Sequence, residues 1–549
     1  MIKRLFLLVI LLLASIPCFG QSVDTAWVRR YNGPADTTDE AYAIAVDGSG
    51  NVYVTGYSTG SGTAEDYATI KYHSNGDTAW VRRYNGPGND EDFASAIAVD
   101  SSGNAYVTGW SWNGTDFDCA TIKYYSNGDT ASRRSYRGGG FDIAVDGFSN
   151  VYVAGATIDS ITPADSGDYL SMKYYPNGDT YWVRTYSGTG NYDIAWAIAV
   201  DGSGNVCVTG GSRDTATLAD WATIKYYPNG ETAWVRRYNG PGNGTEQAQA
   251  ITTDDWGNVY VTGNSWGGLE TQLDCATIKY YPDGDTAWVR TYKGPGNSWD
   301  DGRAIAVDGS GNAYVTGSSF GDYVTIKYYE NGDTAWVRRY NGPGNGEDCA
   351  YAIAVDRSGN VYVTGESPGS GPGWDYATIK YLPNGDTAWV TRYNGPENND
   401  DRASAIAVDD SGNVYVTGYS WGSTAFDYCT IKYVQTGTGV KDETEDRGKP
   451  SEFALSQNYP NPFNPATIIP FTVHGEQKTV NSSIRTTLTI YNILGQKVRT
   501  LVDEDKVPGE YQVVWDGKND SGKKVGSGIY FYRLKIGDFS EAKRSVLLK

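Results

Sequence analysis

Any chemistry in this chain must be done almost without imidazole, because its 549 residues include two histidines, His73 and His474. A Ser/His/Asp or Cys/His relay needs a base beside its nucleophile, so nucleophilic hydrolysis has no centre here, and His-based metal sites fail for the same reason. Carboxylates are plentiful, and a glycosidase needs only two. They fall, however, into two series that recur in every copy of a repeat. The first is Asp47, Asp100, Asp146, Asp201, Asp254, Asp308, Asp356 and Asp409, each opening a turn of the DGSGN kind. Such a turn offers calcium a carboxylate, a hydroxyl and carbonyls but lacks the distal bidentate acid of a full calcium loop, so an Asx-type turn is the expected role. The second is Asp66, Asp118, Asp168, Asp220, Asp274, Asp322, Asp375 and Asp427, each five residues before a lysine (Lys71, Lys123, Lys173, Lys225, Lys279, Lys327, Lys380 and Lys432). A spacing repeated without change belongs to a scaffold, as hydrogen bonding at strand starts and pairing between units.

Binding chemistry should sit where the copies differ. Trp112, Trp266 and Trp421 share one slot, three residues after a strand glycine, in connections rich in Gly, Ser and Asn. With Trp110 and Trp374 they form the candidate ligand-binding set, since an exposed indole stacks on a sugar ring or anchors a protein partner. The competing role for that slot is a plug between repeat units. Trp27, Trp80, Trp182, Trp234, Trp288, Trp336 and Trp389 recur at one position of the repeat and are expected core.

The elements that must hold these residues follow from the repeat. Openings of the DTAW kind fall at Asp24, Asp77, Asp129, Asp179, Glu231, Asp285, Asp333 and Asp386. Each unit contains AIAVD, VYVTG, ATIKYY and DTAWVRRY segments separated by Gly/Asn turns, which reads as four antiparallel strands, or one blade. A lone blade cannot bury both faces, so neighbours must stack. The chain enters with a fourth strand (Trp27 to Tyr31) and leaves with a first, second and third (Ala405 to Tyr433). Joining them predicts an all-β, eight-bladed β-propeller closed by the N-terminal strand over residues 21–434.

The run AIAVDGSGNVYVTG (Ala43 to Gly56) and its copies resemble the secreted bacterial SBBP β-propeller repeat, a family usually described with seven blades, so a count of eight departs from it. That resemblance implies a scaffold and no particular activity. After a linker (435–452), the segments FALSQNYPNPFNPAT (Phe453 to Thr467), LTIYNILGQKVRTL (Leu488 to Leu501) and PGEYQVVWDGKNDSGKKVGSGIYFYRL (Pro508 to Leu534), with the basic close KRSVLLK (Lys543 to Lys549), resemble the type A C-terminal sorting domain of type IX secretion, related to the Ig-like domain of hook-capping proteins. The resemblance implies a small Ig-like β-sandwich over 453–549 that an outer-membrane export machinery reads. Tyr459, Pro460, Asn461, Pro462, Gly495, Trp515, Gly528, Tyr530 and Lys549 are the sorting-signal residues it implies. The stretch from His474 to Thr487 departs from the pattern as a lengthened hairpin. The competing role for the domain is a stalk.

Residues 1–20, with Lys3 and Arg4 ahead of an apolar run from Leu5 to Ile16, have the layout of a cleaved signal peptide. That run is too short to span a bilayer and no later one is long enough, so no transmembrane segment is expected. The net charge of −20 argues against nucleic acid. The five cysteines after Cys18 are scattered among different slots and make no disulfide framework. These features together lead to a protein secreted to, or displayed on, the outer surface of a Gram-negative-type bacterium by way of the periplasm. Its expected role is binding or adhesion to a surface protein or glycan, without catalysis or cofactor. The alternative is a carbohydrate-active hydrolase or lyase, which would need an acidic or Tyr/Arg cluster near the channel.

Overall fold

The computed structural model describes residues 22–158, 167–190, 192–213, 218–268, 272–296, 299–369, 371–436, 454–455, 466–473, 483–493, 495–507, 509–537 and 539–547. The expected signal peptide, most of the linker, Tyr459 to Pro462 and Lys549 lie outside the described residues. Among the described residues there is no helix, and the chain divides into two compact units, Met1–Gly439 and Val440–Lys549.

The first unit contains eight four-stranded antiparallel sheets. In the first blade strand A is Asp39–Val46, B is Val52–Thr59, C is Glu65–Tyr72 and D is Thr78–Tyr84. Six further blades repeat this order. The eighth takes A, B and C from Asp401–Val408, Val414–Trp421 and Phe426–Thr436, and D from the N-terminal strand Ser22–Tyr31. Strands A of successive blades pack on one another, and strand A of blade 1 packs on strands A and B of blade 8, so the sheets follow one another in a cycle. The closing pair is longer than expected: Ser22 faces Thr436 and Val23 faces Gln435, which carries strand C two residues into the predicted linker.

Each blade is fastened to the next by groups that the sequence placed in the core. Six of the recurrent tryptophans, 5–7% exposed, donate their indole N–H across the interface to a carbonyl in the next blade's C–D turn, at 3.1–3.2 Å: Trp27 to Ser74, Trp80 to Ser126, Trp182 to Pro228, Trp234 to Pro282, Trp288 to Glu330 and Trp336 to Pro383. Two residues on, an arginine donates to the glycine carbonyl of the same turn, as Arg29 does to Gly76 at 2.6 Å. That glycine has φ +89°, and a Cβ on it would lie 2.8 Å from the Trp27 ring, so the turn needs glycine twice over.

The Asp/Lys series splits between two jobs. Five of the aspartates, Asp66, Asp220, Asp322, Asp375 and Asp427, pair within their blade with an arginine of strand D, as Asp66 does with Arg83 and Asp375 with Arg392, both at 2.8 Å, and Asp274 pairs with Lys293. The lysine reaches outward: Lys71 lies 4.8 Å over the Tyr53 ring and donates to Ser126 O of the next blade. Blade 8 has no C–D turn, because its D strand comes from the other end of the chain. Lys380 of blade 7 donates instead to the Gln435 side chain, and the buried indole N–H of Trp389 is left without an acceptor among the described residues.

The second unit has one sheet of Ala454–Leu455, Thr467–Val473 and Gly509–Trp515 and another of Lys497–Lys506, Ile484–Asn492, Gly528–Ile536 and Phe539–Leu547. Alternate residues Tyr530, Tyr532, Leu534 and Ile536 point into a core shared with Ile469, Phe471, Leu488 and Trp515. The last four residues of the expected hairpin, Ile484 to Thr487, belong to a strand instead, paired with Lys506 to Asp503.

Deleting Ser22 to Tyr31 should remove the D strand of blade 8 and expose strand C as an edge. A thermal unfolding scan of the repeat unit should then lose its single sharp transition. An unchanged melting profile would contradict closure by this strand.

Candidate functional site

Strand A carries a β-bulge at one place in all eight blades. The register with strand B slips between Ala41 and Ala43, Ala94 and Ala96, Gly140 and Asp142, Ala195 and Ala197, Ala248 and Ala250, Gly302 and Ala304, Ala350 and Ala352, and Ala403 and Ala405. A bulge adds one residue to the strand and re-aims its side chain. The added residues are Tyr42, Ser95, Phe141, Trp196, Gln249, Arg303, Tyr351 and Ser404. Alanines flank them on both sides except at Phe141, between Gly140 and Asp142, and Arg303, between Gly302 and Ala304. Five of them, Tyr42, Gln249, Arg303, Tyr351 and Ser404, line a cavity of about 660 Å³ together with Asn264, Asp301, Arg402 and Tyr419. Tyr42 also lines an adjoining cavity with Phe93, Ser95, Trp110, Phe117 and Phe141. These strands pack on one another in a cycle, and the two cavities lie against them and share Tyr42.

The two cavities differ in chemistry. Along the aromatic one, Tyr57 and Phe93, Trp110 and Phe141, and Phe141 and Trp196 meet edge to face with centroids 5.1, 5.0 and 4.5 Å apart. Gly139 makes room for this wall, since a Cβ there would sit 2.4 Å from the Trp110 ring. Around the polar one, Arg303 pairs with Asp301 at 3.1 Å and lies 4.9 Å over the Tyr351 ring. Tyr351 donates to Glu366, and Tyr42 to Glu40, each at 2.8 Å. Arg402 lies 3.4 Å from Glu366 and 3.5 Å from Asp400, and 4.6 Å over Trp374. Two buried acceptors of the cavity lining, Asn264 Oδ1 and Asp301 Oδ1, have no hydrogen-bond partner among the described residues, while Arg402 Nε and Glu366 Oε2 face each other as the ion pair.

Burial, then the negative charge of Glu40, pushes the Tyr42 phenol far above its ordinary range. Burial, Cys349 and Glu366 do the same to Tyr351. A phenol that serves as a base must be lowered, so these hydroxyls are built to donate. The buried thiols of Cys119 and Cys275 are pushed up to about 11 and about 12, chiefly by burial, and all five described cysteines are free.

The sequence-predicted tryptophans separate. Trp110 is part of the aromatic wall and Trp374 supports Arg402. Trp112, Trp266 and Trp421 are half-buried away from both cavities. Glycines of the loop that enters their blade press on two of these rings: a Cβ at Gly88 would be 2.4 Å from Trp112, and one at Gly244 2.4 Å from Trp266. Trp112 and Trp266 thus support that loop, and Trp421 packs edge to face on Phe426 at 4.9 Å. In the C-terminal unit, Trp515 and Tyr530 pack at 5.1 Å in the core, Gly495 (φ +74°) turns a hairpin and Gly528 opens a strand.

The Asp47 series forms the expected turns. Asp47 Oδ1 accepts the Ser49 and Asn51 N–H groups, and Oδ2 accepts the Asn51 amide and the Tyr53 hydroxyl. Four donors thus occupy the carboxylate offered to calcium. A third acidic series passed unnoticed in the sequence because its neighbours vary. Asp39, Asp92, Asp193, Asp300, Asp348 and Asp401 are buried at the start of strand A and accept a glycine N–H of the preceding loop, as from Gly33 to Asp39 at 2.6 Å. Glu246 takes this slot in blade 5.

The family model described as Beta-propeller repeat matches residues 26–62, 79–118, 233–270, 291–323, 335–371 and 388–424, and that of the FlgD Ig-like domain matches residues 473–537. The chain therefore carries SBBP repeats followed by an Ig-like domain. No curated protein matches it. Among solved structures, a protein of unknown function from Bacteroides caccae is 11% identical over 47% of this chain and 81% of its own, with a TM-score of 0.31. PorZ, described as an essential bacterial surface component of the type-IX secretion system of Porphyromonas gingivalis, is 14% identical over 93% and 81%, with a TM-score of 0.24. The polysaccharide lyase Uly1 is 11% identical over 71% and 89%, with a TM-score of 0.42.

Burial raises the Glu246 carboxyl from 4.5 to about 7. The folded protein thus holds this proton more tightly than the unfolded chain does. The resulting stability is present in full below about pH 4.5 and is lost as the pH rises through about 7. Glu246→Gln should therefore raise the melting temperature at pH 8 and leave it nearly unchanged at pH 4.5. Equal shifts at both pH values would count against a buried, protonated Glu246.

Proposed function

We propose that this protein is a non-enzymatic binding scaffold whose ligand seats at the channel mouth. The observation that carries the reading is the ring of bulge residues. Eight copies of a nearly constant blade present eight side chains at one address, and these range from Ser to Trp and Arg. A purely structural position would repeat like its neighbours Ala41 and Ala43. The Tyr/Arg/Glu group is the kind of cluster that a lyase would need, but its phenols donate to carboxylates and are shifted away from base strength. Binding fits this electrostatic arrangement better than turnover does. The ligand belongs to a surface protein or a glycan.

Ser404→Trp, which fills the polar cavity from a small slot, should reduce attachment of the labelled protein to bacterial cells at least about tenfold at unchanged melting temperature. Trp112→Ala/Trp266→Ala/Trp421→Ala should retain attachment if the protein stays folded. Loss confined to the triple variant would move the site to the peripheral loops. Release of new reducing ends or unsaturated products from a polysaccharide panel would defeat the non-enzyme reading.

The second half of the proposal concerns delivery. The basic and apolar N-terminus and the sorting-like C-terminal segments support export to the outer surface of a Gram-negative-type bacterium, with the Ig-like domain read by the outer-membrane secretion machinery. Among the described residues no helix is long and apolar enough to cross a membrane. In a host with type IX secretion, removing Phe453 to Lys549 should leave a folded propeller in the periplasm. Equal surface and medium levels of full-length and shortened protein would contradict the sorting role.

A further inference from the structure

Five aromatic rings and one serine line the aromatic cavity: Tyr42, Phe93, Trp110, Phe117 and Phe141, with Ser95, around about 380 Å³. Tyr42 is 38% exposed and the other rings are half-buried, so a ligand can reach them and displace water from them. Elsewhere the propeller covers its rings with cations of its own. Arg82 lies 5.8 Å over Trp80 and Lys123 5.1 Å over Tyr106, and beside the polar cavity Arg303 and Arg402 cover Tyr351 and Trp374. Among the described residues no lysine or arginine lies over any of the five rings of the aromatic cavity.

The charged group that does reach this wall is a carboxylate. Glu40 accepts the Tyr42 hydroxyl at 2.8 Å, and the Tyr57 ring packs between Tyr42 at 5.8 Å and Phe93 at 5.1 Å. Burial, then the charge of Glu40, raises the phenols of both tyrosines, which therefore stay neutral. Arg303 and Arg402 line the other cavity and are ion-paired there, with Asp301 and with Glu366 and Asp400.

This arrangement selects among ligands. A cation is attracted to ring faces, and more strongly once the site is desolvated. A neutral alkyl group of the same shape gains burial but nothing from the ring quadrupoles or from Glu40. A primary ammonium or a guanidinium exchanges water for a lining whose side-chain hydroxyls are those of Ser95 and Tyr42, which leaves N–H groups unmet. A nitrogen that carries only carbon has no N–H to satisfy and presents methyl groups to the rings. A phosphate next to it would meet Glu40 at close quarters, whereas the net charge of −20 favours the approach of a cation.

We infer that the aromatic cavity holds a quaternary ammonium group against Phe93, Trp110 and Phe141, with Glu40 as its counter-charge, and that the group comes without a neighbouring phosphate, as on a trimethylated lysine of a surface protein. The inference rests on the reading that the mouth is the binding site.

The test is calorimetric titration of the full chain with choline, a short trimethyllysine peptide, phosphocholine, ethanolamine and 3,3-dimethylbutan-1-ol, the neutral carbon isostere of choline. Choline and the peptide should bind at least about tenfold more tightly than the isostere and ethanolamine. Trp110→Leu should weaken choline about tenfold and Glu40→Gln about threefold, at unchanged melting temperature, and Glu40→Gln should leave the isostere unaffected. Phe93→Leu makes the same comparison where Trp110→Leu does not fold. An isostere bound as tightly as choline would overturn the assignment and leave a plain apolar pocket. Tightest binding of phosphocholine or ethanolamine would overturn it as well, and choline binding indifferent to the ring and Glu40 variants would overturn the location. Absence of binding by every probe while Ser404→Trp still blocks cell attachment would sink this inference alone. If Ser404→Trp also leaves attachment unchanged, the mouth reading falls with it.

Discussion

A four-stranded sheet has two faces, and in this chain both are too apolar to be left to water. Each blade therefore exists only against its neighbours, and the contact that orients them is the reach of one blade's Trp, Arg and Lys into the next blade's C–D turn. The indole needs an acceptor because it is buried, and the turn carbonyls need donors because their own hairpin does not use them. That mutual requirement fixes the turn's glycine, the lysine over the tyrosine ring and the angle between sheets. It also explains the seam, where no C–D turn exists: Gln435 substitutes for the missing carbonyl toward Lys380, and Trp389 goes without.

A fastening at the outer strands leaves the inner strand free to vary. Strand A keeps small residues where neighbouring strands crowd one another, and the bulge places one extra side chain per blade outside that crowding. Such a position can change from Ser to Trp with little consequence for the interfaces. The scaffold is thus nearly symmetric and its mouth is not. One cavity is aromatic and the other is charged and hydrogen-bonding.

The architecture was legible in the sequence because period, turn chemistry and the complementary ends all express the same constraint. Four strands per unit, the pairing of the Trp27 strand with the last repeat and the Asx role of the Asp47 series could each be read from spacing. The site was much less legible. Variation is longest in the loops around Trp112, Trp266 and Trp421, and loop glycines pack on the first two of these rings. The informative variation was a single residue wide, between alanines that looked uniform. Alternation along a strand does not announce a bulge, so nothing in the sequence distinguishes Tyr42, Arg303 and Tyr351. Trp110 was singled out for its type, and its role became visible only once Gly139 of the next blade was seen beneath it. The buried Asp39 series escaped for a similar reason, since its partner is a backbone N–H five or six residues earlier in loops of varied sequence.

The third blade shows how a departure from the repeat is accommodated by its neighbours. No Beta-propeller repeat match covers residues 119–232, and this is where the chain departs most from its own pattern. Three glycines, Gly138 to Gly140, replace residues that carry side chains in most other blades, and the space admits the Trp110 ring. Asp142 stands where other blades have alanine. Its carboxylate, pushed up to about 6 by burial, accepts the N–H groups of Ile143 and of Ile198 in the next blade at 2.8 and 2.9 Å. The loosened strand is thereby tied to its neighbour by a side chain. Loss of the consensus in this blade is therefore compensated locally, and the departures converge on Trp110, Phe141 and Trp196. Three aromatic rings from three successive blades therefore meet where the glycines of blade 3 leave space for them.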